Sequence, residues 1–407
     1  MGPQPTCRWS GVRSRDVPIL ALLSVLLTAC SQTGAVTNTA DTPASAPSSP
    51  RSSPAARAAV VDGLPGMPPV TNARNLYHAA GANMLSDVVK KDRPLVYVPH
   101  SESGDVWVID PKTFEVVSKH KAGIEVQHVV PSYDMRTLYA TDDIGDQMLP
   151  FDPATGKAGK PFPVIDPYNM YFTPDGKSAI SVAERLKKLV WYDPETWEIQ
   201  AETQTPNCAG IDHGTFTMDG RTAAFSCEWA GRVAVVDVAS KKLLRMIDMP
   251  QRNTHMGPQD VALSPDGQRI YIADCDADGL WVLDGAATKV ERSIPTGDCA
   301  HGLYFDREAK RLFVTNRLEG SISVLDAYTG EAITKWHIPG GGSPDMGNLT
   351  ADGKQLWLSG RYHNEVYVLS TQDGSLIKRI PVGRGPHGLT VWPQPGRYSI
   401  GHTGITR

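Results

Sequence analysis

The chain has 407 residues, 41% of them hydrophobic, and a formal net charge of −4 from 40 Lys and Arg against 44 Asp and Glu. That is apolar material enough for a large core, as two ordinary domains or one repeat architecture. No Lys/Arg stripe runs through it, which argues against nucleic acid as a partner. The 37 glycines and 32 prolines recur in turn dipeptides, which favours many short strands.

Arg8, Arg13 and Arg15 precede the apolar run VPILALLSVLLTAC at 17–30. The run is too short to span a membrane comfortably and has the form of a signal peptide over 1–29. Its end, Leu27-Thr28-Ala29-Cys30, resembles a bacterial lipobox. That resemblance implies a lipidated Cys30 and a chain anchored in the cell envelope, periplasmic or on the cell surface. An ordinary cleaved signal with a chance cysteine is the alternative. Residues 30–60 hold this Cys and a Ser/Thr/Ala/Pro-rich stretch that cannot bury enough apolar surface to order itself. As a tether it spans roughly 30 Å root-mean-square.

Six cysteines are present; Cys7 leaves with the signal and Cys30 takes the lipid. Cys208, Cys227, Cys275 and Cys299 remain. In an oxidising compartment they suggest two disulfides, the close pairs being Cys208–Cys227 and Cys275–Cys299, with four free buried thiols as the alternative. Residues 61–93 precede a run of repeats. Within them NMLSDVVKK places Met84, Leu85, Val88 and Val89 on one face of a short helix packed on the side or floor of the repeat domain.

From residue 94 a repeat of about 44 residues takes over. An acidic turn residue closes an alternating apolar run at Asp110, Asp152, Asp193, Asp237, Asp284 and Asp326, with Ser370 in a seventh copy. A second turn, in SYDMRT, TPDGKS, TMDGRT, SPDGQR and TADGKQ, separates two short strands, and Asp-Gly supplies the positive φ a tight hairpin needs. Each unit reads as four antiparallel strands, one propeller blade. The fold class is therefore all-β: a seven-bladed β-propeller over 94–407. The first unit, starting RPLVYVPH, lacks its first strand, and HGLTVW near the C-terminus supplies it. The C-terminal strand completes blade 1 and closes the ring, which removes two open sheet edges.

Phrases such as VALSPDGQRIYIAD followed by LWVLDGAATKVERSIPTG resemble YVTN-repeat, YncE-like β-propeller proteins over about 94–392. The tail PQPGRYSIGHTGITR is similar to an ending found in one branch of these proteins, for which no chemistry is implied. Fold alone does not give function.

The first strand of a propeller blade lines the central channel. Alignment on the Asp of the second turn fixes a position six residues earlier, held around the ring by His387, His128, Asn169, His213, Asp260, His301 and Met346. Four of the 11 histidines fall there. They are either ligands or side chains bonding a neighbouring blade's backbone. His128, His301, Met346 and His387 lie in adjacent blades; imidazole with thioether suits copper, imidazole alone another divalent metal. After each blade's second strand, aligned positions hold His100, Asp143, Glu184, Glu228, Cys275, Arg317 and Arg361, which puts acids on one side of the mouth and arginines on the other. No nucleophile elbow, P-loop, dinucleotide fingerprint or Cys-x-x-Cys-His is present. The leading expectation is a monomeric, lipid-anchored binding protein whose mouth takes a small ligand, a metal ion or an envelope protein. The alternative is a lactonase- or lyase-like enzyme, with Glu184 or Glu228 as base and Arg317 or Arg361 as anion clamp. A redox-cofactor protein is a weaker third.

Overall fold

The computed structural model describes residues 60–251 and 256–407. The signal peptide, Cys30 and nearly all of the tether lie outside the described residues. Seven antiparallel sheets follow one another along the chain. In blade 3, for example, the strands are Asn169–Phe172, Ala179–Ala183, Lys188–Tyr192 and Ile199–Gln204 from the centre outward. Blade 1 is Leu95–His100, Asp105–Asp110 and Glu115–Lys121, completed on its inner edge by Thr390–Trp392, with Leu95 opposite Trp392 and Tyr97 opposite Thr390. The ring closes as the sequence predicts.

The two turn markers act through the chemistry that made them visible. Each acidic residue bonds the turn it opens: Asp110 Oδ1 accepts from the Lys112 amide at 2.9 Å, and Asp326 Oδ1 from the Tyr328 amide at 2.9 Å. In the Asp-Gly turns a hydroxyl two residues earlier ties down the Asp, as Thr217 does Asp219 at 2.6 Å, and Gly220 takes φ +70°. Inner strands such as Val126–Pro131 are buried on both faces, because each sheet lies between two others. The outermost strands alternate, as in Glu115–Lys121. Between blades 3 and 4, Trp191, Phe225, Ala234 and Val236 form one of the seams.

Two segments cross the end of the bore that lies opposite the starts of the inner strands. The segment before blade 1 runs past blades 4, 5 and 7: Leu64 N donates to Asp219 O, Leu76 N to Pro265 O and Asn83 N to Ala351 O. It is a strap of turns with a single 3-10 turn at His78–Ala80, not the helix expected over 83–91. Of its apolar face only Val89 is fully buried; Leu85 is pinned by a bridge to Gly396, and Met84 and Val88 face solvent. Anchorage at successive blades stretches the segment, and that tertiary pull overrides the helical spacing.

The second segment is the C-terminal tail. After closing blade 1, the chain turns back under the ring. Ser399–Gly401 adds to the inner edge of blade 3, Gly401 pairing with Tyr171. Further bonds reach blade 2 (Ser399 N to Tyr133 O, 3.0 Å), blade 3 (His402 N to Met170 O, 2.9 Å) and blade 4 (Arg407 Nη2 to Phe216 O, 2.9 Å). Tail residues 398–407 are almost all buried, His402 and Arg407 completely. The tail is a plug as well as a latch.

Candidate functional site

Five inner strands slip register at the same place: between Val126 and Val129, Ile211 and Gly214, Pro258 and Val261, Ala300 and Leu303, and Pro344 and Gly347. At each slip two consecutive residues face one on the second strand, a β-bulge. Hydroxyls of the second strand take up the freed amides: Thr141 Oγ1 accepts from His128 N at 3.0 Å, Ser226 Oγ from His213 N at 3.0 Å and Thr315 Oγ1 from Gly302 N at 2.7 Å. The bulges stack the bore in two tiers. The upper tier opens to the mouth and includes Gln127, Tyr168, Gln259, His301 and His387, with Asp345 against the two histidines. The lower tier holds His128, Asn169, His213 and Asp260, and the tail adds His402 from below.

Five imidazoles meet here. Ring centroids lie 4.7 Å apart for His128 and His387, 5.2 Å for His128 and His213, 4.9 Å for His213 and His402, and 6.0 Å for His301 and His387. Gly388 makes this possible: a β-carbon there would fall 1.9 Å from His128 Nδ1. The small residue after His387 is thus the space the next blade's imidazole fills.

In the lower tier Asn169 fixes the chemistry. Its Oδ1 accepts from the Met170 amide at 2.8 Å, which orients its NH₂ toward His213 Nδ1 at 3.1 Å and His402 Nδ1 at 2.9 Å. Since an amide NH₂ only donates, both Nδ1 atoms accept and both rings carry their proton on Nε2. Those Nε2 atoms face Asp212 Oδ1 at 2.9 Å and Asp260 Oδ1 at 3.2 Å. Burial holds His213 down to about 4 and lowers His402 as well, so both are neutral. Asp260 is the opposite case. Burial would raise it, but His402, His213 and the Leu303 amide bring it to about 2.

In the upper tier Asp345 is the hub. His301 Nδ1 lies 2.9 Å from its Oδ1, Arg317 Nη1 3.3 Å from the same oxygen, and His387 Nε2 and Arg361 Nη1 3.7 and 3.8 Å from Oδ2. Burial opposes ionisation of Asp345, yet His301, Arg317 and His387 hold it well below the usual carboxylate range. His301 and His387 are lowered, by burial and then by Arg317 and Arg361 respectively. Across the mouth, burial raises Glu184 well above its usual value and raises Glu228 also, each with help from Asp212. The cleft they enclose measures about 300 Å³.

Asp212 lies at the acidic edge, where burial raises it to about 7. An unfolded Asp ionises near 4, so each pH unit from there to about 7 costs the folded state about 1.4 kcal/mol. Asp212→Asn, which stays neutral, should therefore gain on the wild type as pH rises from 4 to 7 and level off above. The expected gain is a few kcal/mol. Melting temperatures at pH 5 and pH 8 measure it, and a gap that stays constant or shrinks with pH contradicts the assignment.

The sequence-predicted positions sort cleanly. His128, Asn169, His213, Asp260, His301 and His387 all reach the bore, and Glu184, Glu228, Arg317 and Arg361 line the cleft. Met346 does not join the histidines as a ligand: its sulfur accepts the Tyr304 hydroxyl at 3.6 Å, and Asp345, its partner in the bulge, occupies the place expected for it. His100 is structural. Its Nε2 accepts from the Gly383 amide at 3.1 Å and its Nδ1 lies 3.1 Å from Asp105, with burial lowering it to about 4. Asp143 belongs to an ion-pair network with Arg185 and Asp166. Cys275 is bonded to Cys299, and Cys208 to Cys227. Each disulfide braces the mouth, since Cys227 directly precedes Glu228, and Cys299 Sγ lies 3.8 Å from Arg317 Nη2. Closed loops of this size contribute roughly 3 kcal/mol each. His402, Asp212 and Asp345 are the residues the slot alignment missed. The acid immediately before a slot residue was the available signal for the last two.

These features define a seven-bladed β-propeller with a plugged, histidine-lined bore. The chain matches the YNCE-like beta-propeller family over residues 53–395 and belongs to it. It is 25% identical over 213 residues to the uncharacterised protein YncE of Salmonella typhi, covering 50% of this chain and 59% of that one. To YncE of Escherichia coli K12 it is 24% identical over 143 residues, covering 34% and 39%. The matches thus span between two fifths and three fifths of these relatives' length. Among solved structures, hydrazine synthase of Kuenenia stuttgartiensis aligns at TM-score 0.55 and 18% identity over 64% of this chain and 87% of that one. The dihydro-heme d1 dehydrogenase NirN aligns at TM-score 0.54 and 15% identity over 75% and 77%. At such identities the likeness concerns the fold alone.

Proposed function

We propose that the protein is an envelope-anchored binding protein whose mouth takes a small ligand bearing a carboxylate or phosphate. One observation carries the reading: two guanidiniums face the single carboxylate of Asp345, and Arg317 Nε and Arg361 Nη1 have no hydrogen-bond partner among the described residues. Buried donors left unpaired are costly, and an anionic ligand satisfies both at once. The tethered lipobox at Cys30 and two disulfides suit an extracytoplasmic setting. A thermal-shift panel of small carboxylates and phosphates tests it. A ligand at a hundred times its Kd stabilises by about 2.7 kcal/mol. Arg361→Gln should weaken the hit about tenfold or more, the worth of one charged hydrogen bond. A panel without hits, or a hit indifferent to Arg361, contradicts the proposal.

A second reading, a hydrolytic or lyase-type enzyme at the same mouth, draws on the raised Glu184, Glu228 and Asp212 opposite the arginines. The upward shifts, to about 7 for Asp212, move these carboxyls toward the role of general acid and away from the base expected from sequence. Turnover of an ester or lactone that Glu228→Gln abolishes would favour it over simple binding.

A further inference from the structure

Two groups of side chains in the bore have the composition of a metal site. His213, Asp260 and His402 form one, and His301, Asp345 and His387 the other; in each, one ligand atom per residue lies within 4.8 Å of the rest. The hydrogen bonds tell them apart. In the lower group Asn169 donates to both Nδ1 atoms, so both Nε2 atoms carry protons. They make no aligned hydrogen bond, but each is turned to a carboxylate, Asp212 at 2.9 Å and Asp260 at 3.2 Å, and neither ring has a lone pair left for a cation. Nothing equivalent constrains the upper group. His387 Nδ1 has no hydrogen-bond partner among the described residues, and neither ring nitrogen of the wholly buried His128, packed against His387, has one. Unpartnered buried imidazole nitrogens beside an ionised carboxylate are what a cation would satisfy.

We propose that His301, His387 and Asp345, with His128 as the adjoining donor, bind one divalent transition-metal ion at the floor of the mouth, and that the His213–Asp260–His402 group does not. The donor set is imidazole and carboxylate without sulfur, which suits zinc, cobalt or nickel and removes the thioether argument for copper. Asp345 alone does not balance the ion's charge, and Arg317 and Arg361 add two more positive charges within 4 Å of the Asp345 carboxylate. The site is therefore short of negative charge on the side facing the cleft, so the ion would draw an external anion to it. The inference goes beyond anion capture: it shares Asp345 with that reading but stands on the imidazole nitrogens of His301, His387 and His128 rather than on the guanidiniums. Metal binding can succeed where the anion panel fails, and the reverse.

The test uses the purified full-length chain, stripped with chelator, loaded separately with Zn²⁺ and Co²⁺ and freed of excess. Elemental mass spectrometry should find near one ion per chain. His387→Gln and His128→Gln should weaken retention by at least the roughly tenfold to hundredfold that loss of a ligand's supporting partner costs. His402→Gln, which alters the lower group and among the proposed donors has a ring contact only with His128, at 5.7 Å between centroids, should retain the metal. Failure of the wild type to hold either ion overturns the proposal, as does loss in His402→Gln with retention in His387→Gln, or equal retention in all variants. The cobalt spectrum of the wild type needs no variant: ligand-field bands without sulfur charge transfer are expected, and a thiolate band would place the ion elsewhere and overturn the assignment.

Discussion

Deletion of residues 385–407 should abolish cooperative folding. The segment supplies the inner strand of blade 1, and without it Leu95–His100 presents a bare edge to the bore. It also removes Leu389, Val391, Trp392, Tyr398 and Ile400, all buried. At roughly 2 kcal/mol per large apolar side chain, their loss approaches the 5–15 kcal/mol that separates most folded domains from unfolding. A shorter deletion, 396–407, keeps the closing strand and removes only the plug. It should still fold, with stability reduced by several kcal/mol for Tyr398 and Ile400 and with the lower tier opened beneath His213. Scanning calorimetry separates the two. A single broad or absent transition is expected for the long deletion and a sharp one at lower temperature for the short. If the long deletion melted like the intact chain, closure by the C-terminal strand would carry no energetic weight.

The architecture was legible because its markers are local. An Asp that bonds the turn it opens, and an Asp-Gly that supplies positive φ, need no knowledge of neighbouring blades, so seven copies can be counted from the sequence. Ring closure followed from counting strands. The bore was harder to read, for two physical reasons. The bulges place consecutive residues such as Asp212 and His213, or Gln259 and Asp260, near the axis together, which defeats a rule based on alternation. One slot per blade therefore mixed the tiers: it took His301 and His387 from the upper and His128, Asn169 and His213 from the lower, and chose Met346 where Asp345 faces the histidines. His402 was out of reach for a different reason. It lies 233 residues from Asn169, the side chain that bonds it, on a tail whose path under the ring no local pattern encodes. Its backbone φ of +55° also lies in the left-handed region, where the turn before the last strand aims the imidazole into the bore.

Asp345→Ala should be the most destabilising single substitution at the site. The carboxylate is wholly buried and is approached by Arg317, Arg361, His301 and His387. Removing it leaves two guanidiniums facing each other across a desolvated space, a change of the kind that costs about 3–5 kcal/mol. Charge rather than packing is the cause, so the effect should respond to compensation and to pH. Adding Arg317→Met to Asp345→Ala should recover part of the loss, because it removes one of the two uncompensated charges. Because the folded-state pKa of Asp345 is depressed, its stabilisation is fully present above the unfolded value near 4 and is lost as pH falls through the folded one. The gap between wild type and variant should accordingly be widest near neutrality and narrow below about pH 4. Urea unfolding of metal-free protein at the two pH values measures it. A gap below about 1 kcal/mol would mean that the arginines pair elsewhere or reach water. A gap indifferent to pH and to Arg317→Met would mean that Asp345 holds the inner strand of blade 7 by shape alone, and the charge imbalance inferred for the mouth would go with it.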